Sequence, residues 1–243
     1  MNEIKKLSNS LEETLKDSDL QNVTIELAET FTDTLLNEGL LRDIPIIGTI
    51  VGLTKATISL NDRLLIKKLI YFISELKDID VEKRNRLVST IENSEKQRLK
   101  VGEKLLYIID KCEDHITAKY ISILFSAFLK EEITYTEFLR CSAIVQKLLI
   151  QDLDQFIQTK VEDIETNITE YDKGVSDFQN SLITSGICAT KTERVSIRDQ
   201  DDYKMSDKYV VEGGDLIINL TEIGYTLKKT LKYSCNTQFS KKR

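Results

Sequence analysis

The search for catalytic chemistry begins at His115, the only histidine of the chain. A nucleophilic serine or cysteine needs an adjacent general base, and histidine supplies it most often. His115 lies in the segment CEDHITAKY, at a predicted junction between helices, where a capping or surface role is ordinary. Cys112 lies three residues earlier, but two ligands do not make a zinc site. We therefore predict no catalytic residue and no metal site.

Phosphate-binding loops are missing from the sequence as well. No G-x-x-x-x-G-K-[ST] or G-x-G-x-x-G pattern occurs, so the usual backbone cradles for nucleotides are absent. Gly213-Gly214 stands alone and is typical of a hairpin turn. The 40 acidic residues are spaced like the solvated faces of amphipathic helices. The sequence thus predicts a protein that is not an enzyme, with no cofactor and no small-molecule substrate.

The composition favours long helices in a globular protein. Of the 243 residues, 41% are hydrophobic and 30% charged. One proline and nine glycines leave few residues that favour turns. The net charge of −6 makes nucleic acid a less favoured partner. The four cysteines, Cys112, Cys141, Cys188 and Cys235, are scattered. With no apolar signal-peptide run near the N-terminus, we expect a cytoplasmic protein.

The residues 44–60, IPIIGTIVGLTKATISL, form an apolar run with one charge, Lys55. Pro45 marks a helix start. Gly48, Gly52 and Ala56 repeat every four residues, so in a helix they form a small-residue stripe that another helix backbone could approach closely. Two interpretations stay open. The run is a core helix surrounded by its neighbours, or the region 44–76 inserts into a membrane when the protein is activated.

The most regular pattern of the chain lies between residues 151 and 185. Apolar residues spaced alternately by four and three predict one long heptad helix. Its seam could pack within the chain or pair with a second copy. The seam residues are Ile157, Val161, Ile164, Ile168, Tyr171, Val175, Phe178 and Leu182.

The last segment changes character. Tyr209-Val210-Val211 and Leu216–Leu220, separated by the glycine pair, predict a short β-hairpin, and Thr221 predicts the N-cap of a last helix. The segment INLTEIGYTLKKTL resembles the wing-then-helix ending of winged-helix proteins, which implies a small αβ cap and a possible DNA-binding role. The basic end could contact an anionic partner through Lys228, Lys229, Lys232, Lys241, Lys242 and Arg243.

The order of segments from residue 44 to about 232 also resembles a group of poorly characterised bacterial and mobile-element helical proteins. That resemblance implies a bacterial or phage origin and a role in phage defence, and it implies no catalytic residue. We predict a mainly α fold with three parts: a helical bundle over 1–150, the heptad helix over 151–185, and a winged-helix-like cap with a basic tail over 186–243.

Three functions follow from these patterns. The first is a non-enzymatic effector that self-associates or binds another protein, with membrane association on activation. The second is a winged-helix DNA-binding regulator, and the third is a structural oligomer.

Overall fold

The computed structural model describes residues 2–17, 20, 23, 41–53, 58–92, 100–169, 174–199 and 209–240. The chain divides into two compact units, residues 1–146 and 147–243. The described residues are mainly helical with a small antiparallel sheet, as predicted.

The first unit is a helical bundle. Within its described residues the helices are α1 (Asn2–Lys16), α2 (Pro45–Leu53), α3 (Leu60–Ser74), α4 (Val81–Glu92), α5 (Val101–Asp110), α6 (His115–Leu129) and α7 (Tyr135–Val145). Helix α3 packs along α6, and α1 packs against both α2 and α5. The bundle therefore has two packing centres, one around α1 and one around α3 and α6.

Polar side chains set the start of several bundle helices. Ser59 accepts a hydrogen bond from the backbone N–H of Asp62, and the Asp62 carboxylate accepts one from Ser59 N, which makes a capping box before α3. Thr134 and Glu137 do the same for α7, and Asp114 caps α6. Such caps satisfy backbone N–H groups that have no partner inside the helix. The helix junction predicted at His115 is confirmed, since α5 ends at Asp110 and α6 begins at His115.

Aromatic side chains fill the centre formed by α3, α6 and α7. Phe72, Phe125 and Phe138 are fully buried. The Phe125 ring centroid lies 5.7 Å from that of Phe72 and 5.3 Å from that of Phe138. These tilted contacts add to the free energy gained from burying the rings.

The apolar run 44–60 contains a core helix that is shorter than predicted. Helix α2 begins at Pro45, as expected, and its residues Ile46, Ile47 and Ile50 are buried against α1. Residues 54–57 lie outside the described part of the chain, and α3 begins three residues later. In this fold, α2 therefore has the position of a core helix, the first of the two interpretations.

The second unit combines four helices with five strands among its described residues. They are α8 (Ile150–Gln158), α9 (Val161–Ile164), β1 (Thr166–Ile168), α10 (Asp177–Ser185), β2 (Cys188–Thr192), β3 (Ser196–Asp199), β4 (Tyr209–Glu212), β5 (Leu216–Leu220) and α11 (Glu222–Ser240). One sheet has the strand order β1-β5-β2, and a second pairs β3 with β4; all pairs are antiparallel. Helices α8 and α11 pack on each other beside β5.

The single heptad helix predicted over 151–185 is wrong. Helix α8 ends at Gln158, because Thr159 is extended at φ −64° and ψ 143°. The chain then makes the short α9 and enters strand β1, and a separate helix begins after Ser176, whose side chain forms a capping box with Gln179. The segment 159–169 is rich in β-branched residues, which favour extended backbone over helix.

The seam residues are consequently dispersed. Ile157, Ile164 and Leu182 are buried in different elements, and Val175 is exposed in an extended segment before α10. Ile168 belongs to β1, Val161 begins α9 and Phe178 belongs to α10, while Tyr171 lies outside the described residues. The described seam residues therefore form no continuous coiled-coil stripe.

A C-terminal hairpin is present, as predicted, but the pairing predicted for it, between 209–211 and 216–220, is wrong. The segments 209–212 and 216–220 do not pair with each other; both belong to the same arm. Strand β4 pairs with β3, with Ile197 opposite Val211, and β5 pairs with β2, with Cys188 opposite Leu220. The register is the same in both halves, so one long hairpin runs over 188–199 and 209–220. We call it the β-ribbon.

The last helix starts as the sequence predicts. The Thr221 hydroxyl accepts a hydrogen bond from the backbone N–H of Gly224 at 3.1 Å, and the backbone N–H of Thr221 donates to Ile187 O at 2.9 Å. A side chain at Gly224 would clash with the same Ile187 carbonyl. The Leu-Thr-x-x-Gly pattern thus buries Leu220, caps α11 and lets the helix lie close to the chain before β2.

A strained residue at the end of α6 allows a stability test. Glu131 has a φ of 63°, a left-handed conformation that favours glycine. The N–H of Glu131 bonds Phe128 O and that of Glu132 bonds Ala127 O, the pattern of a Schellman cap. We expect Glu131→Gly to raise the free energy of unfolding by about 1 kcal/mol, measured by chemical denaturation.

The matched control for that substitution is Glu132→Gly, one residue along, where no positive φ needs relief. The ion pair that Glu131 loses, to Arg86 at 3.0 Å, is exposed and contributes little. Equal destabilisation by both glycine substitutions would contradict the strain at Glu131.

Candidate interaction surfaces

The β-ribbon has two halves joined by a short irregular stretch. Gly213 and Gly214 have φ values of +88° and +101°, and a side chain at Gly213 would clash with Arg194 O. The Glu193 N–H still bonds Asp215 O at 2.8 Å, so the two strands stay paired through this stretch. Because most other residues are strained at such φ values, the irregular stretch between the two halves favours glycine at these two positions.

The outer half of the ribbon carries exposed aliphatic side chains. Ile197 is 68% exposed, Val211 65% and Val195 55%. Ile197 and Val211 are direct cross-strand partners, so their side chains lie on one face of the ribbon. Single exposed aliphatic residues are common on protein surfaces, but a group of them on one element is typical of an interaction surface.

Charged side chains of both signs lie on the other face of the outer half and along the same arm. Arg198 and Glu212 form an ion pair at 2.6 Å, and because side chains alternate along a strand, they point away from the face of Ile197 and Val211. Lys191, Glu193 and Arg194 are exposed on the same strand arm as Ile197.

This surface escaped the sequence prediction, although a signal was present. The segment 189–208 reads as a polar loop, yet Val195 and Ile197 alternate with Arg194, Ser196 and Arg198. Alternation of apolar and polar residues is the pattern of a strand, but here the alternation is too short to stand out from the polar segment around it.

Lys228, predicted to contact an anionic partner, has a structural role instead. Its side chain is 5% exposed. The ammonium group donates hydrogen bonds to Phe156 O and to Thr159 O and lies 4.6 Å from the centroid of the Phe156 ring. Burial lowers the pKa of Lys228, with Lys232 adding to the effect. The prediction for this residue is wrong, because its charge binds the carbonyl end of α8, where a cation is favourable.

The rest of the predicted basic surface divides in two. Lys229 and Lys232 are exposed on α11, so their charges remain accessible to an anionic partner. Lys241, Lys242 and Arg243 lie outside the described residues.

The predicted small-residue stripe does not bring another helix close. A side chain at Gly48 would clash with Arg42 O of the preceding turn, whereas one at Gly52 would meet nothing within 4 Å. Lys55 and Ala56 lie outside the described residues. Helix α2 meets α1 with Ile46, Ile47 and Ile50 buried and with Thr49 hydrogen-bonded to Ser10, so neither Gly48 nor Gly52 serves a close helix crossing. Among the described residues, every helix is too short or too polar to cross a bilayer.

The candidate nucleophiles are buried. Burial raises the pKa of the Cys112 and Cys188 thiols to about 11 and that of Cys141 to about 12, so all three are neutral near pH 7 and poor nucleophiles. The His115 ring lies tilted against the Tyr71 ring, with centroids 4.6 Å apart. The described residues contain no cluster of three metal-ligating side chains.

Comparison with protein-family models, with curated proteins and with solved structures gives no match.

Proposed function

We propose that this chain is a non-enzymatic binding protein of bacterial or phage origin that self-associates through the outer half of its β-ribbon. The observation that supports the proposal is the exposed aliphatic face of Val195, Ile197 and Val211. Burying that face against another protein removes apolar surface from water, which is the main driving force of association.

A second copy of the chain suits this face because of its charges. A twofold contact places each residue of one copy opposite a residue of the same surface in the other. Arg198 and Glu212 lie on the other face of the ribbon and pair with each other, so they place no charge of one sign between two copies that meet through Ile197 and Val211. The exposed edge of β3 could extend the contact by strand pairing.

The experiment is mass measurement by light scattering, with and without lipid vesicles. We expect the protein to form a dimer or larger oligomer at micromolar concentration, and the double variant Ile197→Ser/Val211→Ser to weaken association by at least about tenfold, because truncating central apolar residues typically costs more than 1 kcal/mol.

The matched control is Ile116→Ser/Leu149→Ser, which removes exposed aliphatic side chains, 42% and 61% exposed, from elements other than the ribbon. An oligomer that survives the ribbon substitutions, or a strict monomer at every concentration tested, would remove the proposal. A fixed oligomer with no further partner would favour the structural-oligomer function.

The setting of this function in phage defence rests on the resemblance to bacterial and mobile-element proteins. It predicts fewer phage plaques on cells that express the chain, and loss of that protection in the ribbon variant. Unchanged plaque numbers across several phages would remove the defence role without touching self-association.

A membrane stage belongs to the same proposal. Insertion of 44–76 on activation requires the buried face of α2 to separate from α1. Dye leakage from vesicles measures this stage, and no leakage under any trigger would remove it.

DNA binding is the second candidate, supported by one feature: a ribbon with exposed Lys191, Arg194 and Arg198 followed by a helix with exposed Lys229. The test is salt-sensitive binding of duplex DNA, weakened by charge reversal at these positions. Reversal of Lys228 is not a valid probe, since it removes a buried structural contact. Flat binding curves at low salt would exclude this candidate.

A further inference from the structure

We propose that a second copy of the chain binds along the free edge of β3, strand against strand, with Ile197 of one copy beside Ile197 of the other. This contact rests on the proposed function, because it specifies how the outer half of the β-ribbon meets its partner. Edge strands present unpaired N–H and C=O groups, which a strand of another chain can bond. Antiparallel pairing of two β3 strands joins two ribbons into one sheet.

The ladder of the β-ribbon determines which N–H groups of β3 point outward. One register holds along both halves, and the Glu193 N–H bonds Asp215 O within the ribbon. Because the bonding direction alternates along an antiparallel pair, the odd-numbered residues of this arm point their N–H groups inward. The even-numbered residues of β3, Ser196 and Arg198, therefore point theirs outward, away from β4.

The other arm follows the same alternation and has its outer edge partly covered. The N–H of Leu220, an even-numbered residue of β5, leaves the ribbon and donates to the Glu165 carboxylate at 3.1 Å. Strand β1 pairs with β5 on that side. Among the described strands, none lies on the outer side of β2 or β3. A second copy therefore meets no strand in its way along the β3 edge.

The outer half of the ribbon also needs further strands more than the inner half does. Strands β3 and β4 pack chiefly on each other, and the residues 194–198 are all exposed. An isolated two-stranded hairpin is marginally stable in water, and three or more strands with an apolar face are needed for independent stability. The inner half has three strands, β1, β5 and β2. Edge pairing supplies the outer half with the strands that it lacks.

The side chains of β3 favour one register for this pairing. With the twofold axis at Ile197, the outward backbone groups of Ser196 bond those of Arg198 in the second copy. The two Ile197 side chains then lie side by side and extend the apolar row to Val211 of each copy. An axis at Arg198 sets Arg198 opposite itself, and an axis at Ser196 sets Arg194 opposite Arg198. Like charges directly opposite each other are destabilising.

Disulfide trapping of the full chain tests this geometry. The variants are Ile197→Cys, Ser196→Cys, Arg198→Cys and Val211→Cys, each in a chain that also carries Cys235→Ser. The other three cysteines are buried. Under mild oxidation at micromolar concentration, we expect Ile197→Cys to form an intermolecular disulfide at least about tenfold faster than the other three, because a disulfide needs Cα atoms within about 7 Å. Equivalent residues 196 and 198 are out of alignment, and two strands separate the equivalent residues 211.

Light scattering of the reduced variants gives the fraction of oligomer, at which the cross-linking rates are compared. It also separates the edge contact from the proposed self-association. If oligomers form but Val211→Cys cross-links as fast as Ile197→Cys, self-association stands and edge pairing is overturned, because ribbons packed face to face bring both positions together. Faster cross-linking of Ser196→Cys or Arg198→Cys would overturn the register centred on Ile197. A chain that is monomeric at every concentration would remove both proposals.

Discussion

Arg84→Met should lower the free energy of unfolding of the first unit by about 3–5 kcal/mol, the usual cost of removing one partner from a buried charged network. The Arg84 side chain is 2% exposed. Its guanidinium donates to Leu15 O at 2.6 Å, to Asp17 O at 2.8 Å and to Ile79 O at 3.1 Å. Methionine fills similar space but leaves these carbonyls without their donor.

The position of those carbonyls explains the size of the effect. Leu15 is in the last turn of α1 and Asp17 follows its end, where backbone carbonyls lack partners within the helix. Burial lowers the pKa of Arg84, while the carboxylates of Asp17 and Asp80 partly restore it. The guanidinium nevertheless stays charged, because arginine does not lose its proton in proteins. One side chain therefore joins the end of α1 to the start of α4.

Two further substitutions make the measurement specific. Arg84→Lys keeps the charge, but lysine cannot donate in three directions from a planar group. We therefore expect an intermediate loss in the free energy of unfolding. Arg86→Met, on the same helix, removes only an exposed ion pair with Glu131 and should cost less than about 1 kcal/mol. Chemical denaturation followed by circular dichroism gives the values, and similar losses for Arg84→Met and Arg86→Met would contradict the buried role.

The bundle was predictable where local signals coincide with apolar periodicity. Pro45 marks the start of α2, and Thr134 with Glu137 marks that of α7, because each satisfies or dispenses with unpaired backbone donors. The burial of Ile46, Ile47 and Ile50 follows from an apolar run that has no solvated face. These features are set by neighbours in sequence, which is why sequence reasoning recovers them.

The heptad prediction failed because it counted apolar positions alone. Thr159, Val161 and Thr166 lower helix propensity across the stretch where α8 ends and β1 begins. Ser176 and Gln179 form a capping box whose spacing is visible in the sequence. A pattern of four and three also fits alternate burial in several short elements, so periodicity without attention to caps and β-branched residues is insufficient.

The ribbon and the buried lysine could not be derived from local sequence. Pairing of β5 with β1 and β2 joins residues far apart in the chain, and the glycine pair fits a tight turn as well as the interruption between β4 and β5. Lys228 lies in a run of basic residues that is typical of a solvated end. Its burial depends on α8, about seventy residues earlier, and no spacing along α11 indicates that contact.

Lys228→Met should destabilise the second unit by about 2–4 kcal/mol, because two buried carbonyls lose a charged donor. Those carbonyls, of Phe156 and Thr159, close the end of α8. Hydrogen exchange read by mass spectrometry should show faster exchange in α8 and in the first turns of α11, with α3 and α6 of the first unit unchanged. Localised exchange is the appropriate measurement, since the chain has two units and a single unfolding transition need not describe both.

Lys229→Met is the matched control, because the two residues are adjacent on α11 and only Lys228 is buried. If Lys228 acted as an anion-binding residue, its substitution would leave hydrogen exchange as it is and weaken only binding to an anionic partner. The buried contact predicts the reverse: exchange rises in Lys228→Met and stays at the wild-type rate in Lys229→Met. Equal protection of α8 in the two variants would contradict the structural role, and would return Lys228 to the candidate anionic surface beside Lys229 and Lys232.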